Sequence, residues 1–299
     1  MIRFRAFTKT FGPHRAVDGL SFDVEAGEAV ALLGPNGSGK TTSLKAAAGL
    51  IRPSSGEVLV GEPGRCPQEP AARRAISYLP QKVTFPDAVT GREIVEFYRS
   101  LRGVDPARVD EVFRFASLNG ASGRSISTYS GGMLQRLGLA VAVLPDAPVL
   151  LLDEPTAALD PDGLCAFYGL VERRRREGHT LLFTSHQLGD VERLADRFVL
   201  LVEGRLAAAF TQRELADRLS QRGVMRLRLE CHVPGLVERL REISPTALWV
   251  SGELVISGPA ADRPRVLDVV RAAGGRILGL TAEEGRLDLL YRELVRGQP

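Results

Sequence analysis

A glycine-rich segment, GPNGSGKT at Gly34–Thr41, has the composition and spacing of a loop that binds phosphate groups. It lies between the apolar run AVALL and the helix-forming run TTSLKAAAGL, which is the strand-to-helix position that such a loop requires. Glycines let backbone N–H groups turn towards phosphate oxygens, and the start of a helix adds partial positive charge. We expect Lys40 to reach the β- and γ-phosphates of a nucleotide and Thr41 to hold Mg²⁺.

A second apolar run, VLLL at 149–152, ends in two carboxylates, Asp153 and Glu154. At the end of a buried strand beside a phosphate loop, a carboxylate can hold Mg²⁺ through water, and we expect this of Asp153. Glu154 is placed to polarise a water molecule for in-line attack on the γ-phosphate. Carboxylates after a strand are often only helix caps, but the nearby phosphate loop favours the catalytic interpretation.

A third element, TYSGGMLQR at Thr128–Arg136, has two adjacent glycines just ahead of an apolar helical run. That arrangement also suits the binding of an anion. The chain therefore carries two candidate phosphate-binding elements, some ninety residues apart.

The elements that must position these residues follow from the hydrophobic pattern. All-apolar strands alternate with helices, which predicts a largely parallel sheet covered by helices on both faces. Thr90 and Glu93 form a capping box that begins a helical insertion at about 85–145. The predicted strands are IRFRAF, LSFDV, AVALL, AISYL, PVLLLDE, TLLFTS and FVLLV, and the last continues into a hairpin around Glu203–Gly204.

After about residue 222 the pattern begins again, in the order β-α-β-β-α-β, followed by a last helix near RLDLLYRELVR. This order is typical of a small ferredoxin-like fold. The sequence therefore predicts an α/β domain over 1–222 and a small α+β domain over 223–299. Dimer formation or docking is the expected role of the second domain, because its polar residues do not cluster as in a ligand pocket.

The composition limits the classes of partner that can be expected. The formal net charge is only +3, which gives no electrostatic reason to expect nucleic acid as a partner. The three cysteines are far apart in sequence, which favours free thiols over disulfides or a metal site. Every apolar run is shorter than the roughly 18 residues that span a bilayer. We therefore expect a soluble, cytoplasmic protein that meets the membrane only through a partner.

With these motifs in order, residues 1–222 resemble the ATP-binding subunits of ABC transporters. The resemblance implies a P-loop NTPase of the ABC type, with a mostly parallel sheet, antiparallel edge strands and an inserted helical subdomain. It implies the cofactors ATP and Mg²⁺. The residues that it assigns to ATP are Phe11, Gly34, Pro35, Asn36, Gly37, Ser38, Gly39, Lys40, Thr41 and Thr42. A core phenylalanine is an equal alternative for Phe11.

The same resemblance assigns the remaining site residues. The catalytic group is Lys40, Gln81, Glu154 and His186, and the Mg²⁺ group is Thr41, Gln81 and Asp153. The family signature, usually L-S-G-G-Q, matches Ser130, Gly131, Gly132 and Met133, with Tyr129 and Met133 departing from it. Asp160, in the loop Ala157–Asp160, matches the segment that connects two active sites.

In this family a phosphate loop and the signature of one chain serve different nucleotides. The resemblance thus implies a head-to-tail pair with a second copy or a paralogous ATPase subunit, and an integral-membrane permease that holds the pair at the inner face of the membrane. A periplasmic or accessory protein of the same system is a further partner that it allows.

A finer resemblance concerns the cargo. YLPQKVTFPDAVTGRE and LDLLYREL are similar to segments of the ATPase subunits that serve nitrous oxide reductase maturation, which handle copper or sulfur. ATPases of multidrug- or haem-type exporters share much of this pattern and are the alternative. A soluble ABC protein acting on ribosomes or DNA is a weaker reading, because it would need two nucleotide domains or long insertions. A GTPase-type switch offers no reason for the SGG element.

Overall fold

The computed structural model describes residues 1–157, 159–185 and 188–283, and its contacts divide the chain into two compact units. Unit 1 is Met1–Ala209 and unit 2 is Phe210–Pro299. The predicted boundary lay at residue 222, so the segment 210–222 falls in unit 2 by its contacts. Each helix within the described ranges is too short or too polar to span a bilayer.

Unit 1 alternates strands and helices along most of its length. Its strands are β1 (Ile2–Phe11), β2 (His14–Val24), β3 (Ala29–Leu33), β4 (Ser55–Val60), β5 (Ile76–Leu79), β6 (Val149–Asp153), β7 (Thr180–Thr184), β8 (Arg197–Val202) and β9 (Arg205–Thr211). Its helices are α1 (Lys40–Ala47), α2 (Pro70–Arg74), α3 (Gly91–Arg102), α4 (Ala107–Phe115), α5 (Gly131–Val143), α6 (Pro161–Arg176) and α7 (Leu188–Leu194).

Six of these strands form one sheet in the order β5-β6-β7-β3-β8-β9. The pairs from β5 to β8 are parallel, and all residues of β3, β6 and β7 are buried. Strands buried on both faces need apolar side chains at nearly every position, which is the pattern that the sequence shows. Strand β9 follows β8 through a tight turn in which Glu203 and Gly204 both have positive φ. The predicted mostly parallel sheet with an edge hairpin is confirmed.

A second sheet, in the order β2-β1-β4, is antiparallel. Its aromatic side chains Phe4 and Phe22 stack at 4.6 Å between ring centroids. They belong to a buried cluster that also holds Leu32 of β3 and Leu44 of α1, so this sheet and α1 pack on the parallel sheet. Burial of this apolar surface holds β3 and α1 together, and it thereby holds the phosphate loop that joins them.

The helical insertion lies between β5 and β6 in sequence and contains α3, α4 and α5. The predicted capping box is present, because Thr90 accepts from the Glu93 backbone while Glu93 accepts from that of Thr90. Helix α5 begins at Gly131. The apolar pattern predicted that this helix would begin after the two glycines. Ser130 explains the difference, because its Oγ accepts from the Met133 backbone N–H and caps the helix there.

Two local sequence patterns describe the structure only in part. The segment 51–75 is rich in Pro, Gly and Arg, which predicts loop and edge structure, and it contains the edge strand β4 but also the short helix α2. The run RRRRE at 173–177 predicts a solvated face of α6, but Arg174 is buried and is paired with Asp146 and Glu177. Helical periodicity explains this, because one position in such a run must face the protein.

Unit 2 consists of α8 (Gln212–Ser220), β10 (Gly223–Leu229), α9 (Leu236–Arg241), β11 (Leu248–Val250), β12 (Glu253–Gly258), α10 (Arg263–Ala272) and β13 (Ile277–Glu283). Its strands form an antiparallel sheet in the order β11-β12-β10-β13, and α9 and α10 share one core with it. The predicted ferredoxin-like order is confirmed. The helix predicted near RLDLLYRELVR lies outside the described residues.

Candidate functional site

The glycine-rich loop follows β3, and its backbone can be built only with glycine at two positions. Gly34 and Gly39 have φ of +149° and +96°. A Cβ at Gly34 would lie 2.2 Å from the Leu201 carbonyl oxygen, and one at Gly39 would lie 2.7 Å from that of Ala16. Helix α1 then begins at Lys40 without a side-chain cap, so its first N–H groups point out of the helix without such a partner. This geometry suits an anion.

Lys40 lies in the floor of that loop and is only 7% exposed. Its Nζ donates to the carbonyl oxygens of Gly34, at 2.7 Å, and Pro35, at 3.0 Å. Burial lowers the pKa of Lys40, and the negative charges of Glu154 and Asp153 oppose that shift. The lysine is therefore a desolvated donor that is held by neutral carbonyl groups. Phosphate oxygens could take the place of these carbonyls, and the ammonium group would then be paired with negative charge.

Asp153 and Glu154 are joined by a residue on the next strand that the sequence analysis missed. Thr184 ends β7, pairs with Asp153 in the sheet and is fully buried. Its Oγ1 donates to Asp153 Oδ1 at 2.7 Å and accepts the Glu154 backbone N–H at 2.9 Å. Thr184 thus fixes one carboxylate and the backbone of the other. A polar residue at the carboxyl end of a strand with an apolar interior was the available signal.

The donor set at this edge fits a magnesium ion. Asp153 is 1% exposed, and its Oδ2 is buried without a hydrogen-bond partner among the described residues. Mg²⁺ takes oxygen ligands and usually keeps several waters, so this oxygen suits a water bound to the ion. The Thr41 hydroxyl is the second oxygen available from α1. Both assignments were predicted from sequence and stay predictions.

Glu154 has a backbone conformation that is uncommon for its residue type, with φ of +51°. Such a residue keeps this conformation only when its surroundings hold it, and strained backbone is concentrated at functional sites. The bond from its N–H to Thr184 Oγ1 supplies part of that support. The conformation turns the chain sharply after β6, so that Glu154 leaves the line of the strand.

Three other predicted residues have mixed outcomes. Gln81 is exposed just past the end of β5, which pairs with β6. Phe11 is 48% exposed, with Lys9 Nζ 5.1 Å from its ring centroid, so the core alternative for this phenylalanine is wrong. His186 lies outside the described residues, and so does Ala158 of the loop that precedes Asp160.

The signature segment begins α5 on the helical insertion. Ser130 and Gly131 are exposed, while Gly132 and Met133 are partly buried. A Cβ at Gly131 would meet no atom of the described residues within 4 Å, so their packing does not require glycine there. Asp160 caps α6 by accepting the Gly163 N–H at 2.9 Å, and its other oxygen lies 3.5 Å from Arg136 Nη1 of α5. That ion pair, which the sequence did not suggest, links the signature helix to Asp160.

Tyr129, which departs from the usual signature, points into the helical insertion. It is buried, and its hydroxyl donates to the Ala121 carbonyl oxygen at 2.8 Å. A Cβ at Gly91 would lie 2.2 Å from that hydroxyl, so the start of α3 is shaped around the tyrosine. The departure is therefore accommodated inside the insertion and leaves Ser130–Gly132 in place.

Comparison with known proteins places these motifs in one family. The family model for ABC transporters matches residues 17–157. An ABC transporter ATP-binding protein of Bacillus subtilis, YxlF, is 36% identical over 278 residues, which cover 91% of this chain and 92% of that protein. The linearmycin resistance ATP-binding protein LnrL of the same organism is 30% identical and covers 98% of both chains. The daunorubicin/doxorubicin resistance ATP-binding protein DrrA of Streptomyces peucetius is 34% identical over 83% of this chain and 79% of its own length.

Solved structures give the same result. The structure of an ATP-binding subunit of an ABC transporter superposes with a TM-score of 0.68 and 26% identity, over 73% of this chain and 92% of its own. The dimeric structure of a bacterial ABC transporter cassette gives a TM-score of 0.66 at 25% identity, over 71% of this chain and 99% of its own.

The Thr184 bridge predicts a catalytic effect of Thr184→Val. Valine keeps the shape of threonine but leaves Asp153 Oδ1 and the Glu154 N–H without their partner. We expect the turnover number for ATP to fall about 10- to 100-fold, because the attacking geometry loosens. The matched control is Thr180→Val at the other end of β7, which should change stability but not turnover. Equal turnover of Thr184→Val and wild type would contradict the bridge.

The packing of Tyr129 predicts a stability effect. Tyr129→Phe removes the donor to the Ala121 carbonyl oxygen, and we expect the free energy of unfolding to fall by about 1 kcal/mol. ATPase activity per folded molecule should be unchanged. Urea titration measures the first quantity, with Tyr78→Phe as the control, because the Tyr78 hydroxyl is buried without a partner among the described residues. A large loss of activity in Tyr129→Phe would place the tyrosine at the nucleotide.

Proposed function

The chain belongs to the ABC transporter family as an ATP-binding, ATP-hydrolysing subunit, and on that premise we propose that two copies of it close around two ATP molecules and drive a separate membrane permease. The observation that carries the proposal is the start of α5, where Ser130 and Gly131 are exposed and no contact among the described residues requires glycine at Gly131. A glycine of this kind is expected where a ligand or another molecule approaches the backbone closely.

Within each copy, the site residues predicted from the sequence have separate roles towards the nucleotide. The phosphate loop binds the phosphates, and Lys40 holds the γ-phosphate by exchanging its carbonyl partners for phosphate oxygens. Thr41, Asp153 and Gln81 would hold Mg²⁺, which supplies charge neutralisation at the phosphates. Glu154 takes the proton of the attacking water, and Phe11 offers an exposed ring for the adenine. His186 completes the γ-phosphate contacts in this proposal.

The partner that we propose is a second copy rather than a paralogous subunit. One chain carries an intact phosphate loop, both carboxylates and an intact Ser130–Gly132 segment. A symmetric head-to-tail pair of such chains has two complete sites and needs no other ATPase subunit. The dimeric cassette that this fold resembles supports the arrangement. ATP then acts as the ligand that favours the closed pair, and hydrolysis reopens it.

The permease contact that we propose is an apolar groove on unit 1. The groove, of about 720 Å³, is lined by the residues that follow α1, by α2, β5 and α3, and by the end of α5, and three arginines, Arg73, Arg74 and Arg102, lie at its border. Leu50 and Leu101 line it and are 61% and 68% exposed. Large apolar side chains exposed together mark a protein contact, and a helix from a cytoplasmic loop of the permease is the proposed occupant. This contact would hold the chain at the inner face of the membrane.

For the cargo, we propose an organic compound of the drug type that is exported. The support is the similarity to ATP-binding proteins named for linearmycin and daunorubicin/doxorubicin resistance. The copper- or sulfur-handling role suggested by the finer sequence resemblance has no support among these relatives.

The hydrolytic assignment predicts the behaviour of Glu154→Gln. The amide cannot take a proton from water, so we expect ATP binding to persist while turnover falls at least about 100-fold. The variant should accumulate as a dimer in ATP, which size-exclusion chromatography measures against wild type. Turnover at the wild-type rate would show that Glu154 is not the base.

The groove predicts a binding defect with normal catalysis. Leu101→Glu replaces an exposed apolar side chain of the groove by a carboxylate, and we expect membrane vesicles from the native host to retain at least about tenfold less of this variant. ATPase activity of the isolated chain should not change. Leu206→Glu, at an exposed leucine of β9, is the control. Equal retention of both variants and wild type would remove the groove from the proposal, and capture of ribosomes instead of membranes would favour the soluble alternative.

A further inference from the structure

A buried carboxylate outside the assigned site lies between the two loops that carry the predicted hydrolytic residues. Asp190 is in the first turn of α7 and is only 3% exposed. Its described hydrogen bonds all come from hydroxyl groups, those of Thr156, Tyr168 and Ser185. Buried carboxylates are costly unless their oxygens are satisfied, so three donors from three segments indicate a built arrangement.

Each donor belongs to a different part of unit 1. Thr156 Oγ1 donates to Asp190 Oδ2 at 2.6 Å and follows Glu154 by two residues. Ser185 Oγ donates to the same oxygen at 3.5 Å and directly precedes His186 in sequence. The Tyr168 hydroxyl, from α6, donates to Oδ1. Burial and this bond raise the pKa of Tyr168 to about 12, so the hydroxyl keeps its proton at neutral pH.

The Thr156 bond supports the uncommon backbone at Glu154 from the second side. On the first side, the Glu154 N–H is held by Thr184. On the second, the turn that follows contains a bond from the Ala157 N–H to the Glu154 carbonyl oxygen, and Thr156 within that turn is fixed by Asp190. Strained backbone persists when the surrounding structure holds it, and these bonds hold the chain on both sides of Glu154.

We infer that Asp190 is a positioning residue for ATP hydrolysis, which fixes the turn after Glu154 to the segment before His186 through the hydroxyls of Thr156 and Ser185. In this inference it acts through those two segments rather than on the reacting atoms. The inference rests on the hydrolytic role proposed for Glu154. It predicts that loss of Asp190 affects the rate of hydrolysis more than the binding of ATP, because the phosphate loop and α1 make no part of this network.

The experiment is steady-state ATPase kinetics of the full chain. Asp190→Ala should lower kcat about 100-fold while KM for ATP and the ATP dissociation constant change less than about threefold. Thr156→Val should produce a similar loss in kcat, and Thr156→Ser, which keeps the hydroxyl, should restore most of it. Combining Asp190→Ala with Thr156→Val should add less than about threefold, because both remove the same link.

Two further variants separate positioning from folding. Tyr168→Phe removes the bond to α6 but leaves the turn fixed, so we expect kcat within about threefold of wild type. Thermal unfolding of every variant shows whether a rate change follows stability. If Asp190→Ala does not fold, the Thr156→Val and Thr156→Ser pair decides the question.

The inference is overturned if Asp190→Ala or Thr156→Val keeps kcat within threefold of wild type. It is also overturned if Thr156→Ser restores stability without restoring kcat. Glu154→Gln belongs in the same series. If Glu154→Gln hydrolysed ATP at the wild-type rate, Glu154 would not be the base. A lower kcat in Asp190→Ala would then show that Asp190 positions a different group.

Discussion

The parallel order of β6, β7 and β3 is the constraint on which the site depends, because the carboxyl ends of parallel strands meet at one edge. At that edge β3 delivers the phosphate loop, β6 delivers Asp153 and Glu154, and β7 delivers Thr184. The strands are held by an apolar core on which the antiparallel sheet and α1 also pack. The sheet therefore fixes the relative positions of the site residues, and hydrogen bonds between neighbouring strand ends fix their orientation.

Those hydrogen bonds hold the strained backbone of Glu154. Glu154 sits at positive φ between Thr184 on one side and the Thr156–Asp190 contact on the other. The backbone at this position is therefore held where β6 ends. The exposed start of α5 is different in kind, because a side chain at Gly131 would meet no atom within 4 Å in the part of the chain that the structure describes. It is the natural candidate for a surface completed by another molecule.

Much of this was predictable from local sequence. The phosphate loop, the apolar strand before Asp153 and the capping box at Thr90 are short-range patterns, and each was found where it was expected. The order of elements in unit 2 followed from the same kind of periodicity. Thr184 and Asp190 were missed because their partners lie about thirty residues away in sequence, so their roles appear only when the strands are adjacent. The start of α5 and the burial of Arg174 were misjudged for a similar reason, since capping and tertiary packing decide both.

The central claim is that one chain supplies half of each ATP site, and mixing two inactive variants tests it most directly. Lys40→Ala removes the ammonium group of the phosphate loop, and Ser130→Glu places a negative charge at the start of α5. In a mixed pair, the defects fall on the same site and leave the other site intact. We predict that an equimolar mixture recovers ATPase activity, up to about a quarter of the wild-type rate. A mixture no more active than either variant alone would contradict a shared site.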